Sequence, residues 1–254
     1  MKTVAMCFSP TGGTSKIMNI FSKSFIPDIR IDLCDIHVNE TNYNLETGDL
    51  CFVGVPSYGG RVPQVAVERI HKIKGNGAKA IPIVVYGNRA YDDTLLELTE
   101  VLTKSGFHTI AAVAAIAEHS IMHQFATGRP DLQDEKELLE FCETIKRFTE
   151  DSNHLGDVQI PGNTPYREYN GVPFKPKANK KCNNCGLCQQ NCPVGAIPKE
   201  HPAYTDEEKC ISCMRCVSIC PTQARQLHKL VLWVAGKKMK KVCQERKKNE
   251  LFGI

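Results

Sequence analysis

The 254-residue sequence has a single tryptophan, and aromatic residues make up only 7% of it. No apolar run approaches the ~18 residues that argue for a membrane helix. The first thirteen residues hold one lysine and a short apolar stretch broken by Ser9-Pro10-Thr11-Gly12-Gly13, which is too little for a secretory signal. Neither the Gly-Lys-Ser/Thr phosphate loop nor the Gly-x-Gly-x-x-Gly dinucleotide loop occurs, and the usual nucleic-acid recognition motifs are missing. With 42% apolar residues and a formal charge of +4, the chain can bury a core. These absences argue against a membrane-spanning, exported or disordered protein. The expectation is a cytoplasmic one with no nucleic-acid partner.

Cysteine is abundant and unevenly placed. Of 13, eight fall between Cys182 and Cys220; the others are Cys7, Cys34, Cys51, Cys142 and Cys243. An odd total without an export signal argues against a disulfide framework, so the clustered thiols read as metal ligands. Cys182-x-x-Cys185-x-x-Cys188-x-x-x-Cys192-Pro193 is repeated as Cys210-x-x-Cys213-x-x-Cys216-x-x-x-Cys220-Pro221. Three thiolates at two-residue gaps can wrap three corners of a cube, and the fourth corner is reached more easily from a distant segment. In two-cluster ferredoxins the fourth cysteine of each run serves the other cluster. One [4Fe–4S] cluster then takes Cys182, Cys185, Cys188 and Cys220, and the other Cys210, Cys213, Cys216 and Cys192. Zinc would use four ligands per ion, which fits two triplets with Cys-Pro ends poorly. Asn183, Asn184 and Ser212, between the ligands, can bond sulfur or satisfy turns; turns are favoured. Residues 1–155 carry 15 Lys and Arg against 20 Asp and Glu, a net of −5, whereas residues 156–254 carry 17 against 8, a net of +9. Two filled sites of roughly −2 each would offset about half of that excess.

The first 155 residues alternate apolar runs with helical periodicity. Strands are expected over Thr3–Phe8, Ile29–Leu33, Leu50–Val55, Ala80–Tyr86 and Thr109–Ala117, and helices over Lys16–Phe25, Gln64–Ile73, Thr94–Lys104 and Asp134–Glu150. Repeated βα units imply a doubly wound parallel sheet. Residues 156–178, with Pro161, Pro165, Pro173 and Pro176, read as an ordered or semi-extended linker. Residues 179–228 form the cluster domain, and residues 229–254 a basic, helical C-terminal tail.

Ligands of open α/β sheets bind at the carboxyl ends of the strands. Three loops there carry the signal. Ser9, Thr11, Gly12, Gly13, Thr14 and Ser15 form a hydroxyl-rich turn at a helix N-terminus, able to hold a phosphate or simply to cap the helix. Pro56, Ser57, Tyr58 and Gly59 follow the third strand. Gly87, Asn88, Arg89, Tyr91 and Asp92 follow the fourth. Glycines allow backbone to approach a planar ring, and a tyrosine can stack on it. Arg61 and Arg89 would place positive charge beside such a ring.

Residues 1–155 resemble a flavodoxin-type FMN domain through Ser9-Pro10-Thr11-Gly12-Gly13-Thr14 and the two ring loops. The whole chain is similar to the EFR-type ferredoxin family of anaerobic bacteria and archaea, in which a flavodoxin-like domain is fused to a 2[4Fe–4S] ferredoxin. The resemblance implies a five-stranded flavodoxin-like sheet, a small α+β ferredoxin domain, a C-terminal helix, bound FMN and electron transfer with a redox-protein donor or acceptor. An FMN-dependent reductase of a small-molecule substrate is the alternative; His119 and His123, after the fifth strand, are its candidate proton donors, or else loop-stabilising residues. Cys7, Cys34, Cys51 and Cys142 are expected in the core. The lysines and Arg246 of the tail suit a solvated helix face, a membrane-surface helix or a docking patch for an acidic partner; the first is favoured.

Overall fold

The structure, a computed structural model, describes residues 1–150 and 158–254. In chain order the first part contains β1 (Thr3–Cys7), α1 (Gly13–Ser24), β2 (Ile29–Asp32), β3 (Leu50–Pro56), α2 (Gln64–Ile70), β4 (Lys79–Tyr86), α3 (Thr94–Lys104), β5 (His108–Thr109), β6 (Ala112–Ile116) and α4 (Leu132–Glu150). The parallel strands run in the order β2-β1-β3-β4-β6. Counted by principal strands this is 2-1-3-4-5, the flavodoxin-like order.

The central strands are apolar throughout because both sheet faces are covered. Ile17 and Phe21 of α1 and Leu138, Cys142 and Ile145 of α4 pack with Phe52 and Ile83 on one face. Ala66 and Ile70 of α2 and Leu95, Leu98 and Leu102 of α3 pack with Val53 and Val84 on the other. Burying each such Leu or Ile fully contributes about 1.5–3 kcal/mol. Cys34, Cys51 and Cys142 are buried as expected, and Cys7 is half-buried, its Sγ 3.7 Å from the Ser15 hydroxyl.

The fifth strand is not continuous. Lys79 pairs with His108, an offset of 29 residues, but Ile83 pairs with Val113, an offset of 30. One extra residue is therefore accommodated at Ile110–Ala111, a bulge that apolar patterning alone does not reveal.

The second part contains β7 (Lys177–Ala178), α5 (Leu187–Gln190), α6 (Arg215–Ser218), β8 (Arg225–Gln226), α7 (Lys229–Cys243) and β9 (Glu250–Phe252). Strands β7 and β8 pair antiparallel. The expected division at 155/156 falls outside the described residues.

The tail differs from the expected helix. Helix α7 ends at Cys243, and β9 returns to the first sheet, pairing antiparallel with β6 through Ala112↔Phe252, Val113↔Leu251 and Ala114↔Glu250. An open edge at β6 would leave backbone groups unpaired, and β9 covers it. Asn249 locks the return: its Oδ1 accepts the Ile116 N–H at 2.9 Å, and its Nδ2 donates to Asp134 at 3.1 Å. The sheet thus has a sixth, antiparallel position. Inside α7, Leu232, Ala235, Met239 and Cys243 pack with Met122, Phe125, Phe174 and Met214, so its apolar inner side rests on the protein. Leu230, Trp233 and Val234 face outward with the lysines. Among the described residues no helix is long and apolar enough to cross a membrane.

Candidate redox centre

At the carboxyl edge, the turn after β1 is built by Gly12, whose φ of 90° lies in the left-handed region, and by Ser9, whose Oγ accepts the Ser15 N–H at 2.9 Å. Ser9, Thr11, Gly13 and Thr14 line a recess of about 50 Å³ together with Pro56, Ser57, Tyr58 and Ser120. The positive end of the α1 dipole points into this region. Ser15 is turned inward, its amide bound by Ser9 and its hydroxyl facing Cys7, so it is absent from the recess wall.

A cavity of about 380 Å³ adjoins the recess and shares Ser57, Tyr58 and Ser120 with it. That volume is within the roughly 300–1,000 Å³ of small-molecule sites. Gly59, Arg89 and His119 line it. Other expected residues are engaged elsewhere. The Asn88 amide donates to the Cys243 and Glu245 carbonyls, both at 2.8 Å, anchoring the tail. Tyr91 packs edge-on against Tyr86 and bonds Glu250 of β9. Asp92 pairs with Arg89 and Arg167. Gly87 is required for packing instead, since a Cβ there would meet His119 at 2.7 Å. Arg61 is bound bidentately by Glu97, at 2.8 and 2.7 Å, away from the cavity.

The sequence did not reveal the rest of the cavity wall. The segment read as a linker is clamped across the first unit: Asp93 accepts the Asn163 amide at 2.8 Å and the Arg167 amide at 2.7 Å. Burial opposes ionisation of Asp93, but these N–H groups outweigh it and hold the carboxyl below its ordinary range. Arg167, Tyr169, Gly171, Val172 and Phe174 then form one wall. Ile211 and Ser212, between ligand candidates Cys210 and Cys213, form another.

The two histidines are separated. His119 Nδ1 accepts the N–H groups of Ile121 and Met122, at 3.2 and 3.3 Å, which leaves Nε2 to carry the proton of the neutral ring. Burial lowers its pKa to about 4. His123 is exposed, lies 2.7 Å from Glu118, and does not line the cavity. His119 is thus a neutral positioning group near neutral pH, and the expected pair of proton donors is not assembled. Because the folded-state pKa lies below the ordinary value of ~6.5, the unfolded chain binds the extra proton first. His119 therefore contributes stability above about pH 6.5 that is lost progressively toward pH 4. Replacing it with glutamine should flatten the stability profile in that window, as followed by urea unfolding at stepped pH.

The cysteine-rich unit obeys its own repeat. Asn184 and Ser212 both have φ of 56°, and Gly186 and Met214 have φ of 77° and 62°. Each pair stands at matching offsets from Cys182 and Cys210. Gly195 and Gln223, at 62° and 53°, match three residues beyond Cys192 and Cys220. Both fourth cysteines accept one amide bond at 3.2 Å, from Ala196 and from Ala224. Backbone curled this way directs N–H groups toward sulfur, a lever on cluster potential. Asn183 serves its turn, accepting the Cys185 N–H at 3.3 Å, whereas the Asn184 Oδ1 accepts from the Cys182 thiol at 3.6 Å, and Ser212 donates to the Val172 carbonyl at 3.3 Å.

The ligand candidates fall into two groups. Cys182, Cys185, Cys188 and Cys220 line one small cavity, although Cys220 is 32 residues beyond Cys188. Burial pushes Cys213 and Cys216 up to about 12, and both lie within electrostatic range of Cys192 and Cys210. For Cys220 burial is outweighed by backbone N–H groups of Arg225 and Ala224 and by the Thr222 hydroxyl, which lower its pKa. Thiolate donors in two sets of four fit iron–sulfur clusters. No three His, Cys, Asp or Glu side chains among the described residues stand close enough to hold a single metal ion.

The two units are fastened at the second set. Arg69 of α2, buried, donates to the Leu33 carbonyl at 2.6 Å and to the Pro193 carbonyl at 2.7 Å, joining the sheet to the Cys192-Pro193 turn. Burial lowers the Arg69 pKa. Lys175 donates to the Cys210 carbonyl. Tyr58 reaches the same place: burial, with Cys213 next in effect, raises its phenol well above the ordinary range.

Sheet order and thiol arrangement together define an iron–sulfur electron-transfer unit joined to a flavodoxin-like domain. Residues 181–229 match the family of the 4Fe–4S dicluster domain. Over 57 residues the chain is 39% identical to pyruvate synthase subunit PorD of Methanothermobacter marburgensis, covering 22% of this chain and 68% of that subunit. Through this segment the chain belongs to the 4Fe–4S dicluster family. A 47-residue stretch is 47% identical to one subunit of the ion-translocating oxidoreductase complex of Methanosarcina acetivorans, covering 18% of this chain and 18% of that subunit. The chain spans 10% of trichloroethene reductive dehalogenase of Dehalococcoides mccartyi, at 34% identity. Among solved structures, rubredoxin oxygen:oxidoreductase of Desulfovibrio gigas aligns over 59% of this chain and 36% of its own, at 17% identity and a TM-score of 0.41. A Fusobacterium nucleatum flavodoxin bound to flavin mononucleotide aligns over 58% and 98%, at 14% identity and a TM-score of 0.38. The flavodoxin-like character of the sheet rests on its own strand order.

Proposed function

We propose that this chain transfers electrons between two [4Fe–4S] clusters and an FMN held at the carboxyl edge of the sheet. The observation that carries this reading is the shared cavity: Ser57, Tyr58 and His119 from the sheet unit face Ile211 and Ser212 from a cysteine loop across one space. The adjoining recess fits a phosphate, since Thr11, Gly13 and Thr14 stand at the α1 N-terminus. Arg89 and Arg167 place positive charge on the cavity wall, which favours an anionic reduced ring. Bound there, FMN supplies one- and two-electron chemistry beside clusters that exchange electrons singly. The set Cys192, Cys210, Cys213 and Cys216 is the proximal one. The set with Cys185, whose side chain is exposed, faces solvent and suits exchange with a redox-protein partner.

A carrier is favoured over a substrate reductase because His123 and Tyr91 are turned away from the cavity and His119 is neutral and bound by backbone. Anaerobic reconstitution with ferrous iron, sulfide and FMN tests the reading. The expected product holds about eight iron atoms and one flavin, and FMN at a hundred times its Kd adds about 2.7 kcal/mol of stability. Iron uptake without flavin uptake or a thermal shift would remove FMN from the proposal.

A further inference from the structure

Arg225 is 2% exposed, yet it meets no carboxylate in its hydrogen bonding. Its Nη1 donates to the Pro176 carbonyl at 3.4 Å and to the Thr205 hydroxyl; its Nη2 donates to the Pro202 carbonyl and, at 2.9 Å, to the Tyr204 carbonyl. All four acceptors are neutral oxygens. Its Nε–H is buried with no hydrogen-bond partner among the described residues. A guanidinium stays charged even when buried, and a buried charge with no counter-ion is costly. The missing anion has an evident place. Arg225 lines the small cavity with Cys182, Cys185, Cys188 and Cys220, and it lies within electrostatic range of Cys216 in the other set. A thiolate-ligated cube is anionic, and it gains a further negative charge on reduction.

We infer that Arg225 is a potential-setting residue shared by the two iron–sulfur sites, its buried guanidinium acting as counter-ion to both and favouring their reduced forms. The inference rests on the two-cluster reading above. It accounts for the guanidinium's burial, for its neutral acceptors and for the unpaired Nε–H. The acceptors Pro176, Pro202, Thr205 and Tyr204 hold the group in place, and the charge itself acts on the clusters. The Cys182 set, whose cavity Arg225 lines, and the Cys210 set, through Cys216, are both within its reach.

The test is an anaerobic redox titration of the reconstituted full chain, followed by visible absorption and electron paramagnetic resonance, with iron and labile sulfide measured in parallel. Arg225→Gln keeps a hydrogen-bond donor but removes the charge, and Arg225→Lys keeps the charge. With full iron and sulfide in all three proteins, R225Q should lower the midpoint potential of at least one cluster, and R225K should restore most of the difference. Unchanged potentials in fully loaded R225Q would overturn the inference and leave Arg225 a purely structural tie. Should R225Q hold no iron, R225K decides: loading restored by lysine supports the counter-ion role, and loss of loading in both assigns the site to hydrogen-bond geometry and overturns it. A wild-type chain that binds only half the iron would instead sink the two-cluster reading, which separates that failure from this one.

Discussion

Alanine at Cys220 is expected to remove the same iron–sulfur centre as alanine at Cys182, 38 residues earlier. Each single variant should fall to about half the iron and sulfide of the wild type, by the crossed ligation of two-cluster ferredoxins. The double variant C182A/C220A should lose no more than either single one. C182A/C192A, in contrast, should hold almost none, because it strikes both sets. Residues serving one unit are strongly non-additive, whereas residues serving separate units add. The geometry behind the prediction is the cavity in which Cys220 meets Cys182, Cys185 and Cys188, and the electrostatic grouping of Cys192 with Cys210, Cys213 and Cys216. Ligation within each run would reverse the outcome: C182A/C192A would then keep half its iron. Iron and sulfide assays on anaerobically prepared protein distinguish the two patterns.

The largest effect on stability is expected at Asp134. Its side chain is fully buried and accepts from Arg129 Nε at 2.9 Å and Nη2 at 2.5 Å, from the Asp131 N–H at 3.0 Å and from Asn249 at 3.1 Å. Arg129 is itself 4% exposed. Asp134→Ala strands that guanidinium, and breaking a buried pair in this way costs about 3–5 kcal/mol. Against a total of roughly 5–15 kcal/mol this is severe. Urea unfolding should show a lower midpoint for D134A, and limited proteolysis should cut the tail faster, since Asn249 and Arg246, 3.1 and 3.2 Å from Asp134, each lose one of their partners. Acid should have a related effect. Burial raises the Asp134 pKa, but Arg129 and the Asp131 amide outweigh it, so the folded-state value is depressed. The stabilisation is then present above the ordinary carboxylate pKa of ~3.9 and is lost as pH falls through the depressed value. A D134A chain whose midpoint matched the wild type would refute this account.

What was legible in the sequence was what depends on near neighbours. The cysteine repeat could be read because its gaps of two and three residues are local, and the left-handed positions at Asn184, Ser212, Gly186 and Met214 follow the same count. Strands β3, β4 and β6 could be read because burial on both faces leaves continuous apolar runs. Helix α3 spans Thr94–Lys104, as its periodicity indicated. Long-range fastening was not legible. Asn88 looked like a ligand residue because it follows a strand, but its amide is satisfied 155 and 157 residues later by Cys243 and Glu245. Asp93 carries no local mark of its role in clamping Asn163 and Arg167. Strand β9 is three residues long, too short for an alternating pattern to be recognised, and its pairing depends on the open edge of β6.

That last strand orders the making of the molecule. Residues 250–252 emerge from the ribosome only after every cysteine of the two repeats has been synthesised, so the outer margin of the flavodoxin-like sheet stays unsealed until then. A product interrupted anywhere in the cluster unit would display a bare β6 margin, with the Ile116 amide and the Arg129–Asp134 pair deprived of Asn249. Closure of the sheet is thus a built-in sign that synthesis has run past the cluster segment, and quality-control proteases would meet a different surface on any product that stops before it.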